Sequence, residues 1–184
     1  MKRIIPLLSI VLATCSPAEK SDKTFDDTFS AYVSAFNGSE YDKFLTFLPS
    51  QTFEKVSKEQ IIQYYKKAER TIGQTKIQDY EFTKMGPVLS KGDSVFRRIR
   101  YKSTIVNYSN RDTINPAALL YLKNIYGEAN LEYDSTQRMY IIHQTKDLIF
   151  MRANDSKWTF LEFDSTKENK LIKRLVPLEI STRL

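Results

Sequence analysis

The sequence has little of the residues on which most metal and thiol chemistry depends. Among its 184 residues there is one cysteine, Cys15, and one histidine, His143. A single cysteine excludes an intramolecular disulfide and a zinc site built on several thiolates. A metal site on the single histidine would need carboxylates alone to complete it, and no His-x-x-Glu or Glu-x-x-His spacing is present. The sequence therefore predicts no metal and no cofactor.

Glycine and proline are also scarce, and the excess of positive charge is mild. The chain holds 5 glycines and 6 prolines, a composition that excludes a fibrous or low-complexity protein. Its formal net charge is +6, but the basic residues are dispersed and no helix-turn-helix, zinc-finger or RNA-recognition spacing accompanies them. Nucleic acid is therefore not an expected partner. The length suits a single domain with a sizeable core.

The chain opens with a segment typical of exported proteins. Lys2 and Arg3 precede a mostly apolar run over residues 4–14, which is too short to span a bilayer permanently. The run ends in Leu-Ala-Thr-Cys, with the cysteine at Cys15. The alternative is an ordinary secretory leader in which this cysteine is incidental.

The Leu-Ala-Thr-Cys order resembles the lipobox of bacterial lipoproteins. The resemblance implies that residues 1–14 are a signal peptide, that cleavage precedes Cys15 and that Cys15 carries the lipid that holds the protein to the membrane. Residues 15–23 are small, polar and charged, which predicts a flexible tether. Ser16 stands where some bacteria place an inner-membrane retention aspartate, so the resemblance favours the outer membrane of the cell envelope.

Residues 24–184 form the predicted domain, and its first part has the periodicity of amphipathic helices. Apolar side chains recur at helical spacing over residues 24–36, 39–48 and 57–72. Ser57 and Gln60 have the spacing of a capping box, which predicts where the third helix begins.

Strand patterns dominate afterwards. Residues 77–85 and 94–108 are rich in β-branched and aromatic residues and are separated by a turn at 91–93. Within the second run Val95, Ile99, Tyr101 and Ile105 share one parity, which predicts one buried face and one largely wet face. The sequence further predicts a helix over 116–127, two short helical turns after 165, and strands over 138–144, 147–153 and 157–163.

This order of elements predicts an α+β fold with N-terminal amphipathic helices packed on a curved antiparallel sheet in a single domain. The leading helices and the closing segment 157–162 resemble the cystatin-like cone of the nuclear transport factor 2 superfamily, which includes ketosteroid isomerases and polyketide cyclases. The helix at 116–127 and the tail after 165 depart from the minimal cone. A small lipocalin-like barrel is the alternative fold, and the helical start disfavours it.

The resemblance to the cone fold implies that a catalytic site would place an aspartate, a histidine or a tyrosine in a hydrophobic cavity. His143, Asp79, Tyr64 and Tyr101 are the candidates of these types. No motif matches a catalytic set of that superfamily, and no Gly-x-Ser-x-Gly elbow is present. Because a histidine in a strand is more often an ordinary sheet residue, we expect His143 to be dispensable.

The densest basic cluster is expected on one face of the second strand. Arg98, Arg100 and Lys102 would form a ladder there that could bind lipid headgroups, acidic glycans or a carboxylate ligand. The alternative, which we favour, is a solvated sheet face whose charges discourage edge pairing.

These observations favour a non-catalytic envelope lipoprotein over an enzyme. Its partners would be the membrane, through Cys15, and a small apolar or anionic ligand or another envelope protein. The alternative is a cone-fold isomerase, dehydratase or cyclase that uses a buried histidine or aspartate, which a deep cavity with such a residue at its base would favour. An accessory role in a surface complex would instead show as an exposed apolar patch. One core is expected to contain most of Phe25, Phe29, Tyr32, Phe36, Ile61, Val95, Ile99, Ile105, Ile141 and Trp158.

Overall fold

The computed structural model describes residues 17–108, 116–153, 156–163 and 170–181. Three helices come first: α1 at Pro17–Asn37, α2 at Tyr41–Phe44 and α3 at Lys58–Ile72, with short 3₁₀ turns at Leu45–Phe47 and Ser50–Glu54. The described residues after α3 form strands and further helices in the order β1 Gln74–Lys91, β2 Ser94–Tyr108, α4 Pro116–Tyr126, β3 Leu131–Asp134, β4 Met139–Ala153, β5 Thr159–Phe163, α5 Lys170–Leu175 and α6 Leu178–Ser181. Helices followed by an antiparallel sheet confirm the predicted α+β class.

The helix boundaries follow local sequence signals. Ser57 and Gln60 form the predicted capping box: the Ser57 hydroxyl accepts from the Gln60 backbone N–H at 3.2 Å, and the Gln60 amide oxygen accepts from the Ser57 N–H at 2.9 Å. Gly73 ends α3 at a φ of +94°, which favours glycine. α1 begins at Pro17, earlier than predicted, so residues 17–23 of the expected tether are helical. Proline is favoured in the first turn of a helix.

All the strands pair in one antiparallel sheet. β1 pairs with β2, and β2 pairs with β4 along its whole length. The other edge of β4 is shared, because β3 pairs with residues 139–142 and β5 with residues 147–151. Three register shifts along β1 bend the sheet, since each inserts unmatched backbone.

The prediction of separate strands over 138–144 and 147–153 was wrong, because both belong to β4. Residues 144–147 hold no glycine, proline or asparagine to turn the chain. Each of them pairs in unbroken register with β2. The short strand β3 was not predicted. Its Asp134 carboxylate accepts hydrogen bonds from the backbone of Thr136 and Gln137 at 2.8 and 3.0 Å, which stabilises the turn into β4.

The sheet has an inner face, covered by α1, and an outer face. Phe25 and Phe29 of α1 are fully buried against residues of the inner face. These residues form the largest aromatic cluster, which comprises Phe25, Phe29, Ile99, Tyr101, Leu148, Phe150, Trp158 and Phe160. Of the predicted core, Phe25, Phe29, Ile99 and Trp158 lie here, whereas Ile105 lies in a neighbouring cluster with Ile142.

The outer face of the sheet is less exposed to solvent than the sequence predicts. Phe96 has the same parity as Arg98 and Arg100, on the face that the sequence predicts to be largely exposed to solvent, but it is 4% exposed because the C-terminal helices α5 and α6 cover it. Ile172 of α5 and Ile180 of α6 pack in the same cluster. Ile141 was also wrongly placed in the core: it is only half-buried, and its neighbour Ile142 is fully buried. In a strand a shift of one residue exchanges the two faces.

Candidate functional site

Three polar side chains point from the middle of the sheet toward the inner face. Tyr101 of β2 is in register with Lys146 of β4, and Glu162 of β5 is in register with Leu148 of β4. Cross-strand partners point to the same face of a sheet. Tyr101 and Leu148 belong to the cluster packed on α1, so Lys146 and Glu162 share that inner face.

A hydrogen bond joins two of these side chains across β4. The Tyr101 hydroxyl donates to the Glu162 carboxylate. Tyr101 is 0% exposed, whereas Glu162 retains exposed surface. The carboxylate therefore gives a buried hydroxyl the partner that burial would otherwise deny it, and it connects the core with solvent-accessible space.

The surroundings of this pair are mainly aromatic. Phe29 contacts the Tyr101 ring edge-on, with ring centroids 5.0 Å apart, and Tyr32 contacts Phe160 in the same way at 5.0 Å. Edge-to-face contacts at this distance are favourable and hold the rings in place. The pair is therefore surrounded by tightly packed, mainly apolar side chains.

The electrostatics of the site centre on the Glu162 carboxyl. Burial raises the pKa of Glu162 because it disfavours the charged form, and the Tyr101 hydrogen bond and the Lys146 charge only partly oppose this. The residue as a whole retains exposed surface, so Glu162 lies at the edge of the packed core.

Several tyrosines lie close enough to Glu162 to respond to its charge. Burial, followed by the charge of Glu162, raises the pKa of Tyr101 well above its usual range. The same two causes raise the pKa of Tyr65 and that of Tyr126 to about 12 each. Burial and then the charges of Tyr65 and Glu162 raise the pKa of Tyr32. These phenols are therefore neutral hydrogen-bonding groups at physiological pH.

The sequence pointed to Tyr101 but not to Glu162. The signal for Glu162 was available in the closing segment, where Phe160 and Glu162 share the parity of a buried strand face. A carboxylate at such a position needs a partner. The sequence could not identify that partner, because Tyr101 and Glu162 are 61 residues apart.

The other catalytic candidates lie elsewhere. Asp79, Thr104 and His143 stand side by side across β1, β2 and β4, and Asp79 and His143 line an outer-face groove of about 370 Å³ together with Lys102. The His143 side chain is 54% exposed, with its Nε2 3.8 Å from an oxygen of Glu132. The structure therefore brings His143 and Asp79 together in a wet groove and not in the apolar cavity that the resemblance implied. Tyr64 of α3 is 59% exposed.

Two members of the basic ladder have an acidic partner within the chain. Arg98 contacts the Asp147 carboxylate at 3.0 Å, and Arg100 contacts both of its oxygens at 3.1 Å. The Asp147 side chain is only 4% exposed, against 27% for Arg98 and 41% for Arg100. The guanidinium groups therefore compensate a buried charge, while Lys102 is exposed.

Cys15 and the predicted leader lie outside the described residues. Within the part of the chain that the structure describes, none of the helices combines the length and apolar character needed to cross a membrane. The same part contains no group of three or more His, Cys, Asp or Glu residues placed to hold a metal ion.

The chain has distant structural similarity to known proteins. No protein-family model and no curated protein matches the sequence. A proposed dehydratase of the NTF2-like family from Streptomyces avermitilis is 8% identical, with a TM-score of 0.40 over 77% of this chain and 92% of that one. AclR, a proposed hydroxylase from Streptomyces galilaeus, is 10% identical, with a TM-score of 0.31 over 85% and 91%. Scores this low support no conclusion on family or function.

Proposed function

We propose that this protein is a lipid-anchored protein of the bacterial cell envelope whose domain binds a small, mainly apolar molecule at the Tyr101–Glu162 pair. The observation that carries the proposal is the hydrogen bond, on the inner face, between a fully buried phenol and the carboxyl group of Glu162, a residue that retains exposed surface. Small-molecule sites combine apolar walls with a few convergent polar groups. The aromatic cluster around Tyr101 and the polar groups of Glu162 and Lys146 have this composition.

The polar group of the ligand follows from the chemistry of Glu162. A carboxylate accepts hydrogen bonds, and a protonated carboxyl also donates one. A hydroxyl group on the ligand would donate to the ionised form, and a carbonyl would accept from the protonated form. We therefore expect an apolar molecule with one hydroxyl or carbonyl group.

Non-denaturing mass spectrometry of the protein purified from its native membranes would test the binding proposal. Wild-type protein should carry a small-molecule adduct, and Glu162→Gln should lose it. Glu132→Gln is a matched control, because the Glu132 side chain is 70% exposed and lies on the outer face near His143. A wild-type protein free of adducts, or an adduct retained in Glu162→Gln, would contradict the proposal.

The anchor is proposed from the leader sequence, and intact mass tests it. Wild-type protein should carry the mass of a diacylglyceryl group and sediment with membranes, and Cys15→Ser should do neither. Thr14→Ser keeps Cys15 and places a common lipobox residue before it, so this control should remain lipidated. Wild-type protein that lacks the mass of a diacylglyceryl group would contradict the lipoprotein proposal.

A second function, acid–base catalysis, has one observation in its favour. A carboxyl group with a raised pKa that is held by a fixed phenol can transfer protons. Such an isomerase, dehydratase or cyclase would use Glu162 in place of the expected histidine or aspartate.

Proton exchange separates an enzyme from a binding protein. An enzyme that removes a proton next to a carbonyl should convert cyclohex-3-enone to its conjugated isomer and incorporate deuterium from D₂O. Glu162→Gln should then lower the rate by about two to four orders of magnitude. If the wild-type protein carries its small-molecule adduct but exchanges deuterium no faster than the uncatalysed reaction, it is a binding protein and not an enzyme of this kind.

A further inference from the structure

A cavity, the tyrosine pocket, lies between α3 and α4. Its volume is about 220 Å³, which is below the roughly 300–1,000 Å³ of sites for drug-sized ligands. A ligand of this pocket must therefore be small. The walls are largely aromatic and are formed by Phe36, Tyr41, Tyr64, Tyr65, Tyr121 and Tyr126.

The rings of the tyrosine pocket are fixed by contacts with one another. Tyr65 stacks on Tyr41 with ring centroids 5.9 Å apart, and it meets Phe36 edge-on at 6.1 Å and Tyr64 edge-on at 6.0 Å. The hydroxyls of Tyr64 and Tyr121 lie 2.8 Å apart and join α3 to α4. These rings are therefore held in position before any ligand enters.

The polar groups of the pocket favour positive charge. Glu69 is the only charged residue among the described residues that line it, and the Ser39 hydroxyl orients the Glu69 carboxylate by donating to it at 2.8 Å. Tyr41 is 9% exposed, and its burial, followed by the nearby Glu69 carboxylate, raises its pKa. The Tyr41 phenol therefore stays neutral, and Glu69 supplies negative charge beside it.

We propose that the tyrosine pocket binds a small organic ammonium cation, a methylated amine of the choline type. Aromatic ring faces carry negative electrostatic potential and attract cations, and cages of such rings recognise quaternary ammonium groups. The Glu69 carboxylate complements the charge of the ligand, and its apolar methyl groups suit the rings. The tyrosine pocket is distinct from the Tyr101–Glu162 pair, because Glu69, Tyr64 and Tyr121 belong to α3 and α4 and neither Tyr101 nor Glu162 is among the residues that line it.

Isothermal titration of the full chain, in a detergent that lacks an ammonium headgroup, tests the requirement for charge. The probes are choline and 3,3-dimethylbutan-1-ol, which has nearly the same shape without the charge. Choline should bind at least about tenfold more tightly, since a desolvated cation–π contact contributes roughly 2 kcal/mol. Equal binding of the neutral alcohol, or no binding of choline at millimolar concentration, would overturn the proposal.

Variants at the mouth of the tyrosine pocket test the site itself. Tyr121 is 37% exposed, so Tyr121→Leu should fold, and thermal unfolding would confirm this. Tyr121→Leu should bind choline roughly five- to thirtyfold more weakly, whereas Tyr121→Phe keeps the ring and should retain most of the affinity. Glu69→Gln should weaken choline binding more than Glu162→Gln does. Unchanged affinity in both Tyr121→Leu and Glu69→Gln would place the bound choline elsewhere and refute the assignment.

A further titration distinguishes a free cation from a lipid headgroup. Dihexanoylphosphatidylcholine, used below its critical micelle concentration, presents the same ammonium group on a phospholipid. Tighter binding of this lipid than of choline would identify a membrane headgroup as the ligand. Equal or weaker binding would identify a free ammonium compound, and both results are consistent with the ammonium site.

Discussion

Tyr101 on β2 donates a hydrogen bond to Glu162 on β5 across the intervening strand β4. The two residues differ in environment, because Tyr101 is fully buried while Glu162 reaches solvent. A buried phenol fixes one oxygen of the carboxyl group, and the exposed part of the side chain is available to a ligand. The proposed function depends on this relationship.

The raised pKa of Glu162 predicts a pH dependence of stability. A carboxyl whose pKa is higher in the folded than in the unfolded protein contributes stability that is present below the unfolded pKa, about 4.3. That contribution is lost as the pH rises through the raised folded value. Glu162→Gln should therefore become more stable relative to wild type over this interval, as measured by urea unfolding from pH 4 upward. If the difference in unfolding free energy between Glu162→Gln and wild type did not change with pH, Glu162 would have an ordinary pKa.

The Arg98–Asp147–Arg100 cluster should be structural. The double variant Arg98→Ala/Arg100→Ala removes two partners of a buried carboxylate and should lower the free energy of unfolding by about 3–5 kcal/mol. Lys102→Ala, on the same face but exposed, should change it by no more than about 0.5 kcal/mol. Urea denaturation measures both. A double variant as stable as Lys102→Ala would mean that Asp147 does not need these partners.

Phe29 is expected to be central to the stability of the domain. It is fully buried and packs against the rings of Tyr32, Tyr80, Phe82, Tyr101 and Phe160. Phe29→Ala should cost about 3–5 kcal/mol in chemical denaturation, because it leaves a cavity in a packed core. Leu178→Ala is the control, since Leu178 is 75% exposed. An unchanged denaturation midpoint for Phe29→Ala would show that α1 is not docked on the sheet.

His143 should be dispensable. Its side chain is 54% exposed, and its nearest acidic partner, Glu132, is itself exposed. His143→Ala should alter stability by about half a kcal/mol and leave ligand binding unchanged, as judged by denaturation and mass spectrometry. A folded and lipidated His143→Ala variant that loses the ligand would move the functional site to the outer groove.

The elements that sequence analysis predicted correctly depend on local signals. Ser57 and Gln60 marked the start of α3, and Gly127 with its φ of +85° follows α4 as expected. These signals act within a few residues and are readable without the fold. The continuity of β4 was missed because its middle, residues 143–146, is polar and lies between the two short strands that share its edge.

The candidate site was less predictable, because its members meet only in the folded sheet. Tyr101 was selected as a residue type, and nothing in the sequence joined it to Glu162. The exposed position of His143 depends on the register of β4 against β2, which strand periodicity alone does not determine. The pairing of Arg98 and Arg100 with Asp147 also depends on that register.

Titration with 2-naphthol, a fluorescent and mainly apolar molecule with one hydroxyl group, tests whether the Tyr101–Glu162 pair is the binding site. Wild-type protein should bind it saturably. Glu162→Gln should bind it at least about tenfold more weakly, because a hydrogen bond to a charged group contributes roughly 1.5–3 kcal/mol, and Glu132→Gln should bind it as wild type does. Equal affinity of Glu162→Gln and wild type for 2-naphthol, with both proteins folded, would contradict the assignment of the site to the Tyr101–Glu162 pair.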